Sequence, residues 1–345
     1  MTAGLAIRTY WPALDGLRGL AILLVVLAHA GIGLKPVGGQ VGVTLFFVLS
    51  GFLITSILAA EKSGTDNIDL RHFYGRRVRR LFPALVFFFV MSGIILSAVL
   101  DGYPIWASTW PGLFYVSNYA QIFGVDVIAN THLWSLSVEE HFYALWPIIL
   151  LKIKGIPSAA TLLMVAVGMI CLRFGVGLLD PNWAYHGTFT NSYALLLGCA
   201  IAVRPSRRQP LEHPRWISGA GVLVLVLLSL WPAESVPERL ATGIWLPVVV
   251  AAVSAVLVVV MIEGSHFFFE MGWLRYMGRI SYGWYLWHAP FLFIAALNDT
   301  PEKRFASVFG TFAIASFSWH VVEKRFLKHR KEGEPRPDVE RTGVR

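Results

Sequence analysis

Charged side chains are scarce in this sequence of 345 residues: they make up 14% of it, whereas 56% of the residues are hydrophobic. A soluble protein carries about 25% charged residues, so the chain lacks the polar exterior that a water-soluble monomer needs. Cysteine is rare too, and Cys171 and Cys199 both lie in apolar stretches, which argues against a disulfide framework. There is no Walker loop, GxGxxG, HExxH or CxxC pair, so no nucleotide or zinc signature is present and no metal is expected. The composition predicts a membrane protein.

Ten stretches are long and apolar enough to cross a bilayer, which takes about 20 mostly apolar residues. They are 17–34, 41–60, 82–100, 138–153, 159–179, 189–204, 216–232, 244–262, 281–297 and 304–322. We therefore expect an all-α, polytopic transmembrane helix bundle over residues 1–327, with 106–124 as an interfacial or re-entrant segment. Residues 328–345 are rich in charge and contain Pro, which predicts a disordered cytoplasmic tail.

The basic residues, which give the chain a net charge of +8, are distributed unevenly between the predicted loops. With the N-terminus inside, 23 of the 29 Lys and Arg residues fall in inside segments, four fall in outside loops and two lie within spans. Inside loops of membrane proteins are enriched in Lys and Arg, so both termini are predicted to be cytoplasmic. The positive charge thus marks one face of a multi-pass plasma-membrane protein, in contact with lipid, and not a nucleic-acid site.

Ionisable residues inside apolar spans are costly and therefore suggest function. His29 lies in the first span, eleven residues after Arg18 at its cytoplasmic start. On a helix, eleven residues place the two side chains on one face, about 16 Å apart, with the imidazole expected well inside the span. A base that titrates near neutral pH, at this distance from an arginine that could bind phosphate, is consistent with an acyl-transfer site. The alternative is a histidine that only hydrogen-bonds a neighbouring helix.

A cluster of four arginines, in the segment RRVRRLFPAL, directly precedes the third span. Planar guanidinium groups suit phosphates, so Arg76, Arg77, Arg79 and Arg80 are candidates for binding an anionic cofactor or a lipid headgroup. The same cluster is also what membrane topology and anionic lipids favour, and the sequence leaves both interpretations open.

The segment HLWSLSVEEHFYALWP enters the fourth span from the outside. Ser135 and Glu139 are four residues apart and share a face if the helix begins near residue 133. Two adjacent carboxylates point in different directions, so Glu139 and Glu140 should not face one pocket, and the second is expected to face solvent or cap the helix. Favourable interaction with the helix dipole is the simpler explanation for both.

Four further polar residues have no assigned role. Arg173 either reaches the outer interface or lines an acceptor pocket. Glu323 has Lys324 and Arg325 beside it and could form a local ion pair, and His141 and His288 stay open.

Taken together, these motifs resemble acyltransferase family 3, the integral-membrane O-acyltransferases of bacterial surface glycans and related acceptors. The segments LDGLRGLAILLVVLAH, GVTLFFVLSGFLI, RRVRRLFPAL, HLWSLSVEEHFYALWP, MGRISYGWYLWHAP and SWHVVEKRF occur in the family's order between about residues 10 and 327. The family's Arg/Lys-x10-His motif falls on Arg18 and His29, and its SxxxE motif on Ser135 and Glu139. Its RxxR motif falls on Arg77 and Arg80, although Arg76 and Arg79 satisfy the same spacing.

The resemblance implies an enzyme that binds acetyl-CoA or another acyl-CoA from the cytoplasm and acylates a hydroxyl near the outer side. It implies that Arg18, Arg77 and Arg80, with Arg76 in the other register, hold the donor. It makes His29 the general base, with Glu139 orienting His29 or positioning the acceptor, and Ser135, Arg18 or Tyr285 as possible oxyanion donors. The acceptor expected is a surface glycan such as lipopolysaccharide O-antigen or exopolysaccharide.

Two departures from the family are visible. His141 stands where the family commonly has Gln, and no fused extracytoplasmic domain follows, which implies a self-contained transferase or a separate extracytoplasmic partner protein. Two rival functions stay open from the sequence: the same chemistry on a macrolide or other small acceptor, and a non-enzymatic transporter or flippase for lipid-linked glycans.

Overall fold

The computed structural model describes residues 10–327 apart from 206–213, 215, 234–235, 265 and 298–299. Every regular element in this part of the chain is helical, which confirms the predicted all-α class. The elements are α1 (Pro12–Ala30), α2 (Val37–Thr65), α3 (Leu70–Val99), α4 (Ile105–Leu113), α5 (Ser117–Ile122), a 3-10 turn (Thr131–Leu133), α6 (Trp134–Lys152), α7 (Ala159–Leu179), α8 (Pro181–His186), α9 (Thr188–Ala202), α10 (Trp216–Ser229), α11 (Val236–Glu263), α12 (Phe267–Glu270), α13 (Gly272–Ala296), α14 (Pro301–Ser318), a π-helical turn (Trp319–Glu323) and α15 (Lys324–Leu327).

Each predicted span overlaps a helix, although α3 begins 12 residues and α13 nine residues before the predicted span, and α1 ends four residues before its predicted end. The short α4 and α5 occupy the predicted interfacial segment 106–124. Six helical stretches in the described part of the chain are long and apolar enough to cross a membrane, by length and composition. They are Pro12–Ala30, Val37–Thr65, Leu70–Val99, Ala159–Leu179, Thr242–Glu263 and Pro301–Phe326. The chain is therefore a multi-pass membrane protein. The count of ten spans and the cytoplasmic termini stay predictions, and the proposed tail 328–345 lies outside the described residues.

The apolar helices differ in how far they are covered by the rest of the protein. The most apolar windows of α1 and α2 are 72% buried, whereas that of α7 is only 22% buried. Since the side chains of α7 are as apolar as those of the inner helices, their exposed faces suit lipid. The bundle thus has α1 and α2 at its centre and α7 at its periphery.

Glycines allow the central helices to approach one another closely. A Cβ at Gly278 of α13 would lie 1.8 Å from the carbonyl oxygen of Asp15 on α1. A Cβ at Gly51 of α2 would lie 1.9 Å from the carbonyl oxygen of Leu195 on α9. Backbone contacts of this kind supply the packing energy that the hydrophobic effect cannot supply between helices in lipid.

The central helices give the bundle two distinct ends. Helix α13 runs parallel to α1, because Gly278 lies beside Asp15 near the start of α1 and His288 lies beside His29 near its end. Helix α2 runs antiparallel to α1, because Gly42 packs against Ala21 and Gly38 against Ala28. We call the end where α1 begins the arginine end and the end where α1 finishes the histidine end.

Arg173 of α7 connects its helix to α8, α9 and α11, and its position differs from the prediction. Its side chain is fully buried and has no route to the interface. Its guanidinium donates hydrogen bonds to the carbonyl oxygens of Ile244 (2.9 Å), Ala184 (2.7 Å), Thr190 (2.9 Å) and Gly243 and to Oδ1 of Asn191 (3.0 Å). With its donors satisfied inside the protein, Arg173 neither reaches the interface nor lines an acceptor pocket, so both predicted roles are wrong.

Candidate active site

Helix α1 directs Arg18 and His29 toward the same neighbour, α13. Nη2 of Arg18 donates a hydrogen bond to Oγ of Ser281 (3.4 Å), and the His29 ring packs edge-on against the His288 ring at 5.0 Å between centroids. The shared helix face predicted from their spacing is confirmed. Helix α1 ends at Ala30, so His29 lies in its last turn, at the histidine end. The depth predicted for its ring in the membrane stays a prediction.

The His29 ring is held in one orientation and one tautomer. Nδ1 lies 2.8 Å from the carbonyl oxygen of Val25, which can only accept, so Nδ1 carries the hydrogen. In the neutral ring the lone pair is therefore on Nε2. A Cβ at Gly39 would lie 2.8 Å from Cε1 of His29, so α2 closes the other side of the ring. The arrangement leaves Nε2 as the basic atom.

A cavity of about 430 Å³, counting the space that is open to solvent, lies beside Arg18 between α1, α2, α6 and α13. It is lined by Arg18, Val43, Phe46, Phe47, Ser135, Leu136, Glu139, Ser281, Tyr282 and Tyr285. Helix α6 begins at Trp134, and both Ser135 and Glu139 face this cavity, which confirms that they share a face. The cavity thus brings together an arginine, a carboxylate and four hydroxyls from the three helices α1, α6 and α13.

Glu139 belongs to the arginine side of this cavity. Its Oε1 accepts a hydrogen bond from Oγ of Ser50 (2.8 Å), and its carboxyl is close enough to Arg18 and Arg77 to interact with their charges. The hydrogen bond and ring contacts of His29 are to other residues, Val25 and His288. The structure therefore does not bring Glu139 onto His29, and the hypothesis that it orients the imidazole gains no support.

Tyr285 also lines the cavity, and its hydroxyl makes hydrogen bonds to two neighbouring groups. It donates to the carbonyl oxygen of His132 at 2.5 Å and lies 2.6 Å from Oγ of Ser135. Because Tyr285 has a single hydroxyl hydrogen, Ser135 must be the donor in the second contact. Neither hydroxyl keeps a hydrogen for an oxyanion in this arrangement.

Three of the predicted cofactor-binding arginines come together at the arginine end. Arg80 is close enough to Arg18 and Arg77 for their charges to interact. The Nε atoms of Arg18 and Arg77 are buried and have no hydrogen-bond partner within the described part of the chain. Buried guanidinium donors that lack acceptors suit phosphate oxygens, so these residues fit an acyl-CoA. Arg76 and Arg79 are exposed, and Nε of Arg79 donates to the carbonyl oxygen of Gly75 instead.

Arg77 is also engaged by the second carboxylate of α6. Its Nη2 lies 3.0 Å from Oε1 of Glu140, and its guanidinium stacks 3.4 Å from the ring centroid of Tyr143, beside a second cavity of about 480 Å³. The two adjacent carboxylates thus face different cavities, as predicted. Glu140 is neither a cap nor solvent-facing, however, because it pairs with Arg77.

Sequence reasoning missed His132 and gave His288 no role. His132 lies in the 3-10 turn before α6, and His288 lies on α13, yet their rings are 5.0 Å apart between centroids. His132 is 4% exposed and His288 is fully buried. The residue types stood in the motifs HLWSLS and YLWHAP, but the spacing of residues within one helix says nothing about contacts between helices.

Glu323 is turned into the protein and not toward its neighbours in sequence. It is 3% exposed and lies in the π-helical turn, where Oε1 accepts from Oγ of Ser318 (3.2 Å). The same oxygen would be 2.9 Å from a Cβ at Gly283, and the carboxyl interacts with the charge of Arg80. Glu323 therefore faces the arginine end of the bundle, and not Lys324 and Arg325 as predicted.

Known proteins are similar in sequence to this chain along most of its length. Proteins 32% identical to it include the putative peptidoglycan O-acetyltransferase YrhL of Bacillus subtilis, aligned over 91% of this chain and 54% of its own length. The peptidoglycan O-acetyltransferase OatA of Listeria monocytogenes is 32% identical over 93% of this chain and 56% of its own length. The O-acetyltransferase OatA of Staphylococcus aureus is 31% identical over 82% of this chain and 51% of its own length.

The chain therefore spans about half the length of the curated relatives it matches. No solved structure matches it significantly. A family model described as an acyltransferase domain, of the acyltransferase 3 family, matches residues 11–321. This range contains α1–α14 and each of the candidate site residues discussed above apart from Glu323. The chain thus belongs to the acyltransferase 3 family.

Proposed function

We propose that this protein is a membrane O-acyltransferase that moves an acetyl or other short acyl group from acyl-CoA on the cytoplasmic side to a hydroxyl of a cell-envelope glycan. The observation that supports it best is the placement of Arg18 and His29 on one face of α1, near its opposite ends. The rise of α1 puts them about 16 Å apart, which suits a donor that is held by its phosphates and reacts at its far end.

The arginine end would hold the phosphates of the donor. Arg18 and Arg77 each have a buried Nε without an acceptor, and Arg80 adds a third charge beside them. Bound acyl-CoA supplies a thioester as the acyl source. Arg18 itself is too far from His29 along α1 to stabilise charge on a carbonyl at the imidazole. Since Ser135 and Tyr285 donate to other groups, none of the three expected oxyanion donors is free for that role.

The histidine end would carry out the transfer. His29 Nε2 takes the proton of the acceptor hydroxyl while the hydroxyl oxygen attacks the thioester carbonyl. The hydrogen bond from Nδ1 to Val25 keeps the lone pair on Nε2 for this step. Glu139, hydrogen-bonded to Ser50 beside Arg18, is proposed to act on the donor side of the site.

The acceptor class follows from the relatives, whose names include peptidoglycan O-acetyltransferases. A glycan hydroxyl outside the membrane is therefore the first acceptor to examine, ahead of a macrolide or another small metabolite. Membership of an acyltransferase family argues against the transporter alternative. Mass spectrometry of envelope glycans from cells with and without the gene would identify the acylated polymer.

The test of this function is acyl transfer from radiolabelled acetyl-CoA by the purified protein in lipid nanodiscs. We expect label to reach a glycan acceptor with wild-type protein and the rate to fall by about 100-fold or more in His29→Ala, since general base catalysis contributes 10²–10⁴-fold. His320→Ala is the matched control, because this exposed histidine also donates Nδ1 to a carbonyl four residues earlier. A His29→Ala protein that keeps the wild-type rate would show that the base is another group.

A further inference from the structure

Three imidazoles form a continuous row at the histidine end. The His288 ring lies between the other two, at 5.0 Å from His29 and 5.0 Å from His132, with interplanar angles of 70° and 79°. The three come from α1, α13 and the turn before α6, so only the folded bundle brings them together. Within the described residues no group of three such side chains is arranged to hold a metal ion. The row therefore needs another explanation.

The tautomers of His29 and His288 are fixed in the same way. Nδ1 of His288 lies 2.6 Å from the carbonyl oxygen of Tyr285, and Nδ1 of His29 lies 2.8 Å from that of Val25. Both rings therefore keep their lone pair on Nε2 when neutral. Nε2 of His288 is fully buried and has no hydrogen-bond partner among the described residues. A buried polar atom left without a partner costs about 1–3 kcal/mol, which a purely structural histidine would avoid.

His132 extends the row into the protein. Both of its ring nitrogens are buried and make no hydrogen bond of ordinary geometry. The carbonyl of Leu286, which Pro290 deprives of its helical N–H donor, lies close to this ring. One nitrogen of His132 can thus donate to that carbonyl, which leaves the other as an acceptor toward His288.

The surroundings of His288 contain few other groups that could take a proton. The titratable side chains facing it are His29 from α1, His132 from the turn before α6 and Tyr285 from its own helix. Helix α3 presents aromatic rings, with Phe87 and Phe88 packed on Trp287. From α14, the Arg304 guanidinium lies beside Gly31, just beyond His29. None of the described ring contacts and hydrogen bonds of the three histidines is with a carboxylate, so the titratable group in described contact with the His29 ring is His288.

We propose that His288 is a positioning residue for acyl transfer, which shares through its Nε2 the proton that His29 removes from the acceptor hydroxyl. The inference rests on the proposed function. The acceptor oxygen forms the new C–O bond as the thioester C–S bond breaks, and the electron pair of that bond leaves on sulfur. The proton passes from the hydroxyl to the His29–His288 pair and then to the departing thiolate. When that proton lies on Nε2 of His288, the free nitrogen of His132 can accept a hydrogen bond from it and so stabilise the protonated state.

The kinetic test compares His288→Gln with wild-type protein and with the control His320→Gln. We expect kcat of His288→Gln to fall at least about tenfold with KM for acetyl-CoA within about threefold. The acid limb of the pH profile should move about one unit to lower pH, because an isolated His29 binds a proton less tightly than the pair. His320→Gln should leave rate and profile unchanged. A slower His288→Gln enzyme with an unchanged profile would reduce His288 to a packing role and overturn the proposal.

A second measurement does not depend on how well His288→Gln folds or on turnover. Wild-type and His29→Gln proteins with ¹⁵N-labelled histidine are titrated by NMR in nanodiscs. Loss of His29 should shift the titration of a second imidazole by about one pH unit. If the remaining imidazoles titrate as in wild type, the pair does not share a proton and the inference fails. If His29→Gln shows this shift but the wild-type protein transfers no acyl group, the proposed function is refuted and the pairing is kept.

Discussion

At the residue scale, His29 is fixed by contacts on both sides of its ring. Val25 accepts from Nδ1, and the backbone of α2 at Gly39 lies against Cε1. Only glycine allows this approach, because any side chain at position 39 would have to push the ring away from α2. The chemistry of the site therefore depends on a residue that carries no functional group.

We expect Gly39→Ala to slow acyl transfer while donor binding is kept. The added methyl would lie 2.8 Å from the His29 ring, and displacement of a reacting group by about 1 Å can cost about 100-fold in rate. Gly64→Ala is the matched control on the same helix, because a Cβ there meets no atom within 4 Å. Rates and acetyl-CoA affinities are measured for both variants. Equal rates in the two would show that the close approach of α2 does not matter for His29.

At the element scale, α3 presents two overlapping RxxR registers, and the structure distinguishes them. Arg80, although exposed like Arg76 and Arg79, lies close enough to Arg18 and Arg77 for their charges to interact, and Nε of Arg77 is buried. No such interaction is seen for Arg76 or Arg79 among the described residues. We expect the double substitution Arg77→Gln/Arg80→Gln to weaken acetyl-CoA binding by about 10-fold or more, since a hydrogen bond to a charged group contributes about 1.5–3 kcal/mol.

The control is Arg76→Gln/Arg79→Gln, which removes the same charge from the same helix. We expect it to change affinity by less than about threefold, because no interaction of Arg76 or Arg79 with Arg18 or Arg77 is seen among the described residues and isolated exposed charges are screened by solvent. Binding is measured by isothermal titration calorimetry with protein in nanodiscs at fixed salt. Equal losses in both double variants would mean that α3 attracts the donor only through its net charge.

Arg173 is expected to hold the peripheral helices α7, α8, α9 and α11 together. In Arg173→Met the five oxygen acceptors around it lose their donor inside the protein, and loss of one partner from a buried polar group costs about 1–3 kcal/mol. The melting temperature in detergent should therefore fall by several degrees. Leu172→Met, on the exposed side of the same helix, should have little effect. Equal melting temperatures would show that the acceptors find other donors.

The elements also show how far sequence reasoning reaches. Relations within one helix were predictable, because 3.6 residues per turn fix which side chains share a face. The helical repeat correctly predicted that Arg18 shares a face with His29 and that Ser135 shares a face with Glu139. It also predicted that Glu139 and Glu140 point in different directions. Contacts between helices were not predictable, because they depend on how the helices pack, and no spacing within one helix reveals that packing. The row of His29, His288 and His132 and the inward turn of Glu323 belong to this second class, as do the contacts of Arg173.

At the scale of the whole molecule, the two ends of the bundle differ in chemistry. Arg18, Arg77 and Arg80 lie at one end with Glu139, Glu140 and Glu323, and the three-histidine row lies at the other. The basic loops predicted to be cytoplasmic include the one that leads into α3, at the arginine end. A donor held from the cytoplasm and an acceptor outside the membrane would then meet at the histidine end, near the outer surface. The proposed function therefore requires one orientation of the protein in the membrane.

That orientation can be measured with single cysteines on the two sides. Asp101 follows α3 at the histidine end, and Lys154 follows α6 at the arginine end; both are exposed. In a Cys171→Ser background, which removes the exposed native thiol, we expect Asp101→Cys to react with a membrane-impermeant maleimide in intact spheroplasts. Lys154→Cys should react only after lysis, because positively charged loops stay inside. The reverse labelling would put the arginine end outside, where no acyl-CoA is present, and the proposed route of the acyl group would have to be abandoned.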